Sequence, residues 1–247
     1  MNPTSTASRY LPWYKHWFNE DYLQLYPHRD EADAERCVGL IRRTLPWRTG
    51  WRVLDVACGA GRHARALEAA GARTIGVDLS MTLLQVARTV TSTPLIRTDM
   101  RALPVRPGSI DLVVNLFTSF GYFATDAEHA VALGEMCGSL RAGGWFVIDY
   151  LNAAHVRATL VPEEHTLLGG VPAEVTRTLE EDGSVVVKRI VTDDGRRFRE
   201  RVRLFSADEL EAMLERCGIR VRHRLGDYEG GALSPSSPRA ILMGDRA

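Results

Sequence analysis

Three aspartates stand in or at the end of successive apolar runs, each of which leads into a turn. Asp55 lies in VLDVACGAG, Asp78 lies in GVDLS, and Asp99 lies in TDM. A carboxylate at the carboxyl end of a parallel strand is able to accept hydrogen bonds from the hydroxyls of a ribose. The small residues of CGAG, which come after the first run, let a ligand approach the backbone where a helix begins. These residue types and their spacing predict a nucleotide-type ligand along one edge of a sheet.

Five apolar runs between residues 51 and 150 alternate with segments of helical periodicity. The runs are WRVLDVA, TIGVDL, PLIRTDM, IDLVVNLF and WFVIDY, and they are rich in β-branched and aromatic residues. Ser80 is a candidate helix N-cap, and Gly71 and the pair Gly143–Gly144 are candidate helix stops. This alternation predicts an α/β fold with a doubly wound, mostly parallel sheet.

The regions on either side of this core differ in character. Residues 10–45 are aromatic-rich and helical in pattern, whereas residues 174–205 alternate like two or three antiparallel strands. Ser206 with Glu209 forms a capping box that predicts one more helix, and the last two strands come after it. The predicted organisation is an N-terminal helical cap over the active site (1–48), a core (49–159 and 206–247) and an inserted antiparallel sheet (160–205). The insertion is either a lid or an oligomer interface.

Two classes of nucleotide ligand compete for the glycine loop. The segment GAGRHA formally fits the GxGxxA fingerprint of dinucleotide-binding proteins. Neither the acid inside the first strand, Asp55, nor the acid after the third, Asp99, belongs to that pattern. An NAD-dependent oxidoreductase is therefore the less favoured interpretation.

The same segments resemble class I S-adenosylmethionine-dependent methyltransferases. VLDVACGAG resembles their first motif and GVDLS their second, and TDMRALPV, IDLVVNLFTSFGYF and RAGGWFVIDY resemble the later segments of the family. The resemblance covers about residues 50–150, and the final helix and two strands fit the same fold, which implies a seven-stranded sheet. One departure is Ala57, which stands where many members have glycine.

The resemblance implies S-adenosylmethionine as the cofactor and assigns roles along the strand ends. Asp55 would orient the methionine part through its ammonium or a bridging water. Asp78 would bind the ribose hydroxyls, and Asp99 would accept from the adenine amine. The implied cofactor-binding set is Asp55, Ala57, Gly59, Gly61, Asp78, Leu79, Asp99, Met100, Asn115 and Leu116.

Candidates for the acceptor site come from the N-terminal segment, the loop after the fourth strand and the end of the fifth strand. The catalytic candidates are Tyr22, His28 and Tyr122. The substrate-binding candidates are Tyr26, Arg29, Phe120, Tyr150 and Asn152. Aromatic packing beside a helix-breaking Pro27 is an equally good account of the N-terminal group. Because the sequence shows no clustered metal-ligand set, a mechanism without a metal is expected.

Composition narrows the class of acceptor. The 247 residues hold 31 Lys plus Arg and 31 Asp plus Glu, so the formal net charge is zero. Because nucleic-acid binders normally carry a basic surplus, a small-molecule acceptor is favoured, with methyl transfer to nitrogen or oxygen. A methyltransferase acting on RNA or protein, and a catalytically inactive methyltransferase-like binding protein, stay open as alternatives.

Compartment and assembly are predicted from the cysteines and the hydropathy pattern. The four cysteines lack metal-ligand spacing and are predicted to be reduced thiols, and no apolar run reaches membrane-spanning length. The sequence therefore predicts a cytoplasmic protein without a membrane partner, and a homodimer is left open.

Overall fold

Two separate sheets form the framework of the chain, for which a computed structural model describes residues 12–27 and 31–247. The larger has seven strands in the order β10-β11-β5-β4-β1-β2-β3 and the smaller has four in the order β6-β7-β8-β9. The strands are β1 Arg52–Val56, β2 Arg73–Asp78, β3 Leu95–Arg97, β4 Ile110–Asn115, β5 Leu140–Leu151, β6 Glu163–Leu168, β7 Val171–Glu180, β8 Val185–Thr192, β9 Arg197–Arg203, β10 Ile219–Leu225 and β11 Arg239–Arg246.

The direction of the strands agrees with the sequence pattern. Strands β1 to β5 pair in parallel, whereas β11 is antiparallel to both β5 and β10. All pairs in the smaller sheet are antiparallel. The predicted fold class, a doubly wound and mostly parallel seven-stranded sheet with an inserted antiparallel sheet, is confirmed.

Helices connect the parallel strands and cover the sheet. They are α1 Tyr14–Trp17, α2 Glu20–Leu25, α3 Glu31–Thr44, α4 Arg62–Ala69, α5 Met81–Val90, α6 Asp126–Ser139, α7 Ala153–Thr159 and α8 Ala207–Arg216. The Ser80 hydroxyl accepts from the Leu83 N–H, and Ser206 forms the predicted capping box with Glu209. Both helix starts follow from local sequence, because a cap satisfies backbone donors that the helix leaves open.

The pair Gly143–Gly144 does not stop α6, so this prediction is wrong. The helix ends at Ser139, and both glycines lie within β5, where the register with β4 shifts between Ile110 and Leu112. Gly143 has φ +67°, and a Cβ on Gly144 would come 2.9 Å from the Arg141 carbonyl oxygen. The glycines therefore allow a bulge in a strand instead of ending a helix.

The inserted sheet begins earlier in the chain than the alternating pattern indicates. Strand β6 lies before residue 174 and pairs with β7, so the sheet has four strands instead of two or three. Side chains of α1 and α2, including Trp17 and Leu25, pack in one cluster with Val175 and Ile190 of the sheet. The N-terminal helices therefore lie against the insertion as well as the core.

Candidate functional site

The loop between β1 and α4 adopts a backbone that favours small residues. Gly59 has φ +55°, Gly61 has φ +86°, and Ala57 has φ +61° although it carries a Cβ. Glycine adopts this left-handed region readily, whereas a residue with a Cβ, such as Ala57, adopts it at a cost. A Cβ on Gly61 would lie 2.9 Å from the Cβ of Ala87 in α5. Gly61 therefore serves the close packing of α4 on α5.

Asp78, at the end of β2, holds this loop. Its Oδ2 accepts from the Gly59 N–H at 2.9 Å, and its Oδ1 accepts from the Ser80 N–H at 2.7 Å. Burial raises the pKa of the carboxyl above its ordinary value, and the hydrogen bonds from Ser80 and Gly59 oppose that rise. A carboxylate has further lone pairs for two ligand hydroxyls, as a ribose would require.

Asp55 is a buried acid with an unsatisfied oxygen. It is 1 % exposed, and its Oδ2 has no hydrogen-bond partner among the described residues. Burial, together with the nearby Asp78, raises its pKa to about 7, and Arg62 opposes that rise. An acid in this state gains from a cation or a hydrogen-bond donor placed beside it.

Asp99, after β3, is paired inside the protein. Arg101 donates to its Oδ1 through the backbone N–H and Nε, both at 3.0 Å, and to its Oδ2 through Nη2 at 2.7 Å. Hydrogen bonds from Arg101 hold the pKa of Asp99 below its ordinary value, so the carboxyl is ionised at neutral pH. Sequence reasoning missed Arg101, although its place two residues after the acid is a usable signal.

A cavity of about 390 Å³ opens at the carboxyl ends of β1, β2 and β4. This is the switch point of the sheet, because β2 and β3 extend to one side of β1 and the chain then returns to β4 on the other. The predicted residues that line the cavity are Ala57, Gly59, Asp78, Leu79, Asp99, Met100 and Leu116 from the cofactor set, and Tyr22, Tyr26 and Tyr122 from the acceptor set.

Six further predicted residues do not line the cavity. They are Asp55, Gly61, Asn115, Phe120, Tyr150 and Asn152. Phe120 packs against His129 and Phe205, and the Tyr150 hydroxyl donates to the Arg203 carbonyl. Both are buried in the core because strand β5 and the loop after β4 turn these rings away from the mouth. For Phe120 and Tyr150 the prediction of substrate contact is therefore corrected to a packing role.

Hydrogen bonds hold the two amides of this group, and among the described residues Asn115 Oδ1 has no partner. Asn115 Nδ2 donates to the Val56 carbonyl at 3.0 Å and joins β4 to β1. The side-chain Oδ1 of Asn152 accepts from the Ala154 N–H at the start of α7, and its Nδ2 donates to the carbonyls of Ser234 and Ser237. Asn152 therefore connects α7 to the loop before β11 instead of contacting the acceptor. The predicted His28 and Arg29 lie outside the described residues.

Helices α1 and α2 contribute residues such as Tyr14 and Tyr22 to the cavity lining and are attached on both sides. On the core side, the Ser80 hydroxyl donates to the Phe18 carbonyl. On the other side, Trp17 Nε1 donates to Glu200 of β9 at 2.8 Å, and Lys188 of β8 donates to the Tyr26 hydroxyl. No sequence signal indicates Glu200 or Lys188, since they come from the inserted sheet.

His63 lines the cavity but is unsuited to proton transfer at neutral pH. Burial, together with the charges of Arg62 and Arg239, lowers its pKa to about 3. Among residues 12–27 and 31–247, no group of three or more His, Cys, Asp and Glu side chains is arranged to hold a metal ion. No helix in the same residues is long and apolar enough to cross a membrane.

A sequence model described as a methyltransferase domain matches residues 53–144, which hold the glycine loop, Asp78, Asp99 and β4. The chain is a class I S-adenosylmethionine-dependent methyltransferase. Its cofactor is S-adenosylmethionine.

Similar proteins agree with this family. The methyltransferase is 28 % identical over 221 residues to the dTDP-3-amino-3,4,6-trideoxy-alpha-D-glucopyranose N,N-dimethyltransferase of Streptomyces venezuelae, covering 84 % of this chain and 90 % of the other. The sugar N-methyltransferase KedS8 from Streptoalloteichus sp ATCC 53650 superposes with a TM-score of 0.67 at 27 % identity, covering 100 % and 98 %. The CcbJ methyltransferase from Streptomyces caelestis shares the fold, with a TM-score of 0.79 at 18 % identity over 94 % and 99 %.

The residues of the methyltransferase fit this cofactor. Asp78 offers lone pairs at the cavity wall. Asp55, whose Oδ2 has no partner among the described residues, comes two positions before Ala57, which lines the cavity. Gly59 has open space beyond it except for a Leu83 methyl at 3.8 Å, so a ligand is able to approach the backbone there. The set combines acids with a bare backbone, which suits a ligand that carries ammonium and sulfonium charges.

Proposed function

We propose that this methyltransferase acts on the amino nitrogen of a small molecule, with an amino sugar as the leading class of acceptor. The observation that carries the proposal is the aromatic lining of the cavity on the side of the cap. Rings of Tyr14, Phe18, Tyr22, Tyr26 and Tyr122 line it. Such rings exclude water and attract the cationic charge that an amine acquires when it is methylated.

The imidazole of His63 and the hydroxyl of Tyr122, two titratable groups of the cavity, favour nitrogen over oxygen. A neutral amine attacks without losing a proton beforehand, whereas a sugar hydroxyl needs a general base. Among the described lining residues, His63 is the one imidazole, and its low pKa makes it a weak base. The Tyr122 hydroxyl donates a hydrogen bond to the Thr118 carbonyl. Methyl transfer to nitrogen therefore requires less help from a general base than methyl transfer to oxygen.

Binding and orientation are the main tasks of the side chains. S-adenosylmethionine supplies, when bound, a methyl group on a sulfonium, which is transferred by in-line displacement. We assign Asp78 to the ribose hydroxyls and Asp55 to the ammonium or a water beside it. We assign Asp99 with Met100 to the adenine end. The cap of α1 and α2 encloses the acceptor and keeps water out, which strengthens these electrostatic contacts.

Relatives support the nitrogen assignment. The Streptomyces venezuelae relative is an N,N-dimethyltransferase of an amino sugar attached to dTDP, and KedS8 is a sugar N-methyltransferase. The two alignments cover 90 % and 98 % of those proteins, so the likeness extends well beyond the cofactor-binding core. An acceptor of the same chemical class is therefore the first to test.

Compartment and assembly belong to the same proposal. The four cysteines are free, which supports a reducing, cytoplasmic location. Leu167, on the edge strand β6 of the smaller sheet, is 66 % exposed and supports a homodimer formed through that sheet. The formal net charge of zero speaks against a nucleic-acid partner. Size-exclusion chromatography with light scattering tests the dimer.

The proposed function is tested in two steps. Calorimetry with S-adenosylhomocysteine reports the cofactor site, and absence of binding at high micromolar ligand contradicts the site assignment. Turnover is then compared between an amino sugar nucleotide and its matched hydroxyl analogue. The expected result is methylation of the amine alone, with kcat/KM rising with pH towards the pKa of the amine. Equal turnover of the hydroxyl analogue would exclude nitrogen specificity.

A further inference from the structure

The turn directly after β4 has an unfavourable backbone. Phe117 has φ +56° and Thr118 has φ +62°, so two consecutive residues with side chains lie in the left-handed region. L-residues with a Cβ avoid this region unless surrounding contacts compensate for it. The contacts that hold these two residues therefore decide the shape of the cavity wall here.

Asp149 of β5 supplies those contacts through its buried carboxylate and through its backbone carbonyl. Its Oδ2 accepts from the Phe117 N–H at 2.9 Å, and its backbone carbonyl accepts from the Thr118 N–H at 2.9 Å. Arg239 of β11 donates to Asp149 Oδ1 at 2.7 Å and to the Thr118 hydroxyl at 3.1 Å. Asp149 is 0 % exposed, so its carboxylate is shielded from water and depends on these donors.

This turn also fixes groups that line the cavity. Two guanidinium groups lie near the Phe117 ring, with Arg62 at 4.1 Å and Arg239 at 5.4 Å from its centroid. Helix α4 begins at Arg62, just after the glycine loop. Both Arg62 and Phe117 line the cavity. The Thr118 carbonyl also accepts from the Tyr122 hydroxyl, and the Tyr122 ring packs against Trp13 of the cap.

We propose that Asp149, together with Arg239, is a positioning residue for cofactor binding. It holds Phe117 and Thr118 in the left-handed conformation, so that the Phe117 ring and the Arg62 guanidinium form the cavity wall beside the glycine loop. This inference rests on the proposed cofactor site, and it assigns no direct contact with the cofactor to Asp149. The carboxylate acts through the turn.

Asp149→Asn tests the inference with little change in volume. Phe117 and Arg239 donate to different oxygens of the carboxylate, and the amide keeps only one of these oxygens, so one of its own N–H groups must face a donor. The matched control is Tyr228→Phe, because the Tyr228 hydroxyl donates to the same Oδ2 at 2.7 Å and Tyr228 does not line the cavity. Both variants lose a buried hydrogen bond, but Tyr228→Phe leaves the turn attached.

Affinity for S-adenosylhomocysteine is measured by calorimetry well below both melting temperatures, so that only folded protein is compared. We expect Asp149→Asn to weaken binding about 10-fold or more and Tyr228→Phe to weaken it less than about 2-fold, although both lower the melting temperature. Equal affinities in the two variants would reduce Asp149 to a purely structural residue and overturn the inference.

A second variant covers the case in which Asp149→Asn does not fold. Thr118→Val removes the hydroxyl that Arg239 reaches and leaves the buried Asp149–Arg239 pair intact, and we expect about 3-fold weaker binding. Wild-type affinity in folded Thr118→Val contradicts the inference. Failure of the wild-type protein to bind S-adenosylhomocysteine would instead contradict the proposed function, so the two failures are distinguishable.

Discussion

The backbone N–H of Gly59 donates to the Asp78 carboxylate at 2.9 Å, so the acid that ends β2 fixes the loop that comes after β1. One side chain therefore shapes the glycine loop and presents its remaining lone pairs to the cavity. The relationship connects the first two sequence motifs directly, since Gly59 and Asp78 belong to one motif each.

Asp78→Asn should weaken the binding of S-adenosylhomocysteine about 10–100-fold, because an amide oxygen is unable to serve Gly59, Ser80 and two ribose hydroxyls together. Calorimetry on the purified variant gives this value. Asp111→Asn is the control, because Asp111 lies near the amino end of β4, away from the cavity at the carboxyl ends of the strands. There it pairs with Arg52 and Arg141. Unchanged affinity in Asp78→Asn would remove the ribose assignment.

The stability of the ligand-free protein should depend on pH through Asp55. Burial raises its pKa from 3.8 to about 7, so the folded chain holds a proton that the unfolded chain releases. The free energy of unfolding therefore falls as pH rises between about 4 and 7.

Asp55→Asn removes this titration. Relative to wild type, the variant should gain about 2–4 kcal/mol of stability on going from pH 4 to pH 8. Urea unfolding at several pH values in that range measures the difference. A difference between the two proteins that stays constant with pH argues that Asp55 titrates normally.

Lys188→Met should loosen the cap, because the ammonium donates to the Tyr26 hydroxyl and lies 3.9 Å from Glu200. Amide hydrogen exchange in residues 14–25 should accelerate about 5–50-fold if one charge-assisted contact is lost. Arg189→Met is the matched control on the same strand, since Arg189 is exposed and pairs with Glu180 instead. The same acceleration in both variants would mean that the cap does not depend on Lys188.

Gly61→Ala should destabilise the protein by about 1–3 kcal/mol, because the added Cβ meets Ala87 and the backbone is left-handed. Gly134→Ala should stabilise it by about 0.5–1 kcal/mol, because Gly134 is in the interior of α6 with open space around it. Chemical denaturation of both variants provides the comparison. An unchanged free energy of unfolding in Gly61→Ala would show that α5 shifts enough to accommodate the added Cβ.

The local sequence pattern is sufficient to predict the parallel core and the positions of the acids at the strand ends. Apolar runs, caps and small-residue loops act within a few residues, and parallel strands bring their carboxyl ends to one edge. The pattern therefore predicts that Asp78 and Asp99 lie near each other, and both line the cavity. Phe120 and Tyr150 show the limit of this reasoning, because a residue near a strand end points into the cavity or into the core according to the packing around it.

Side-chain type and spacing by themselves indicated the fold class and the end of the sheet where the cavity lies, and the resemblance of the same segments to a known family implied the cofactor. Tertiary structure decided the partners that act across the sequence. Arg239 stands 90 positions from Asp149, and Lys188 stands 162 positions from Tyr26. These pairs form because strand order and the inserted sheet bring distant segments together, whereas sequence periodicity reports only neighbours within an element.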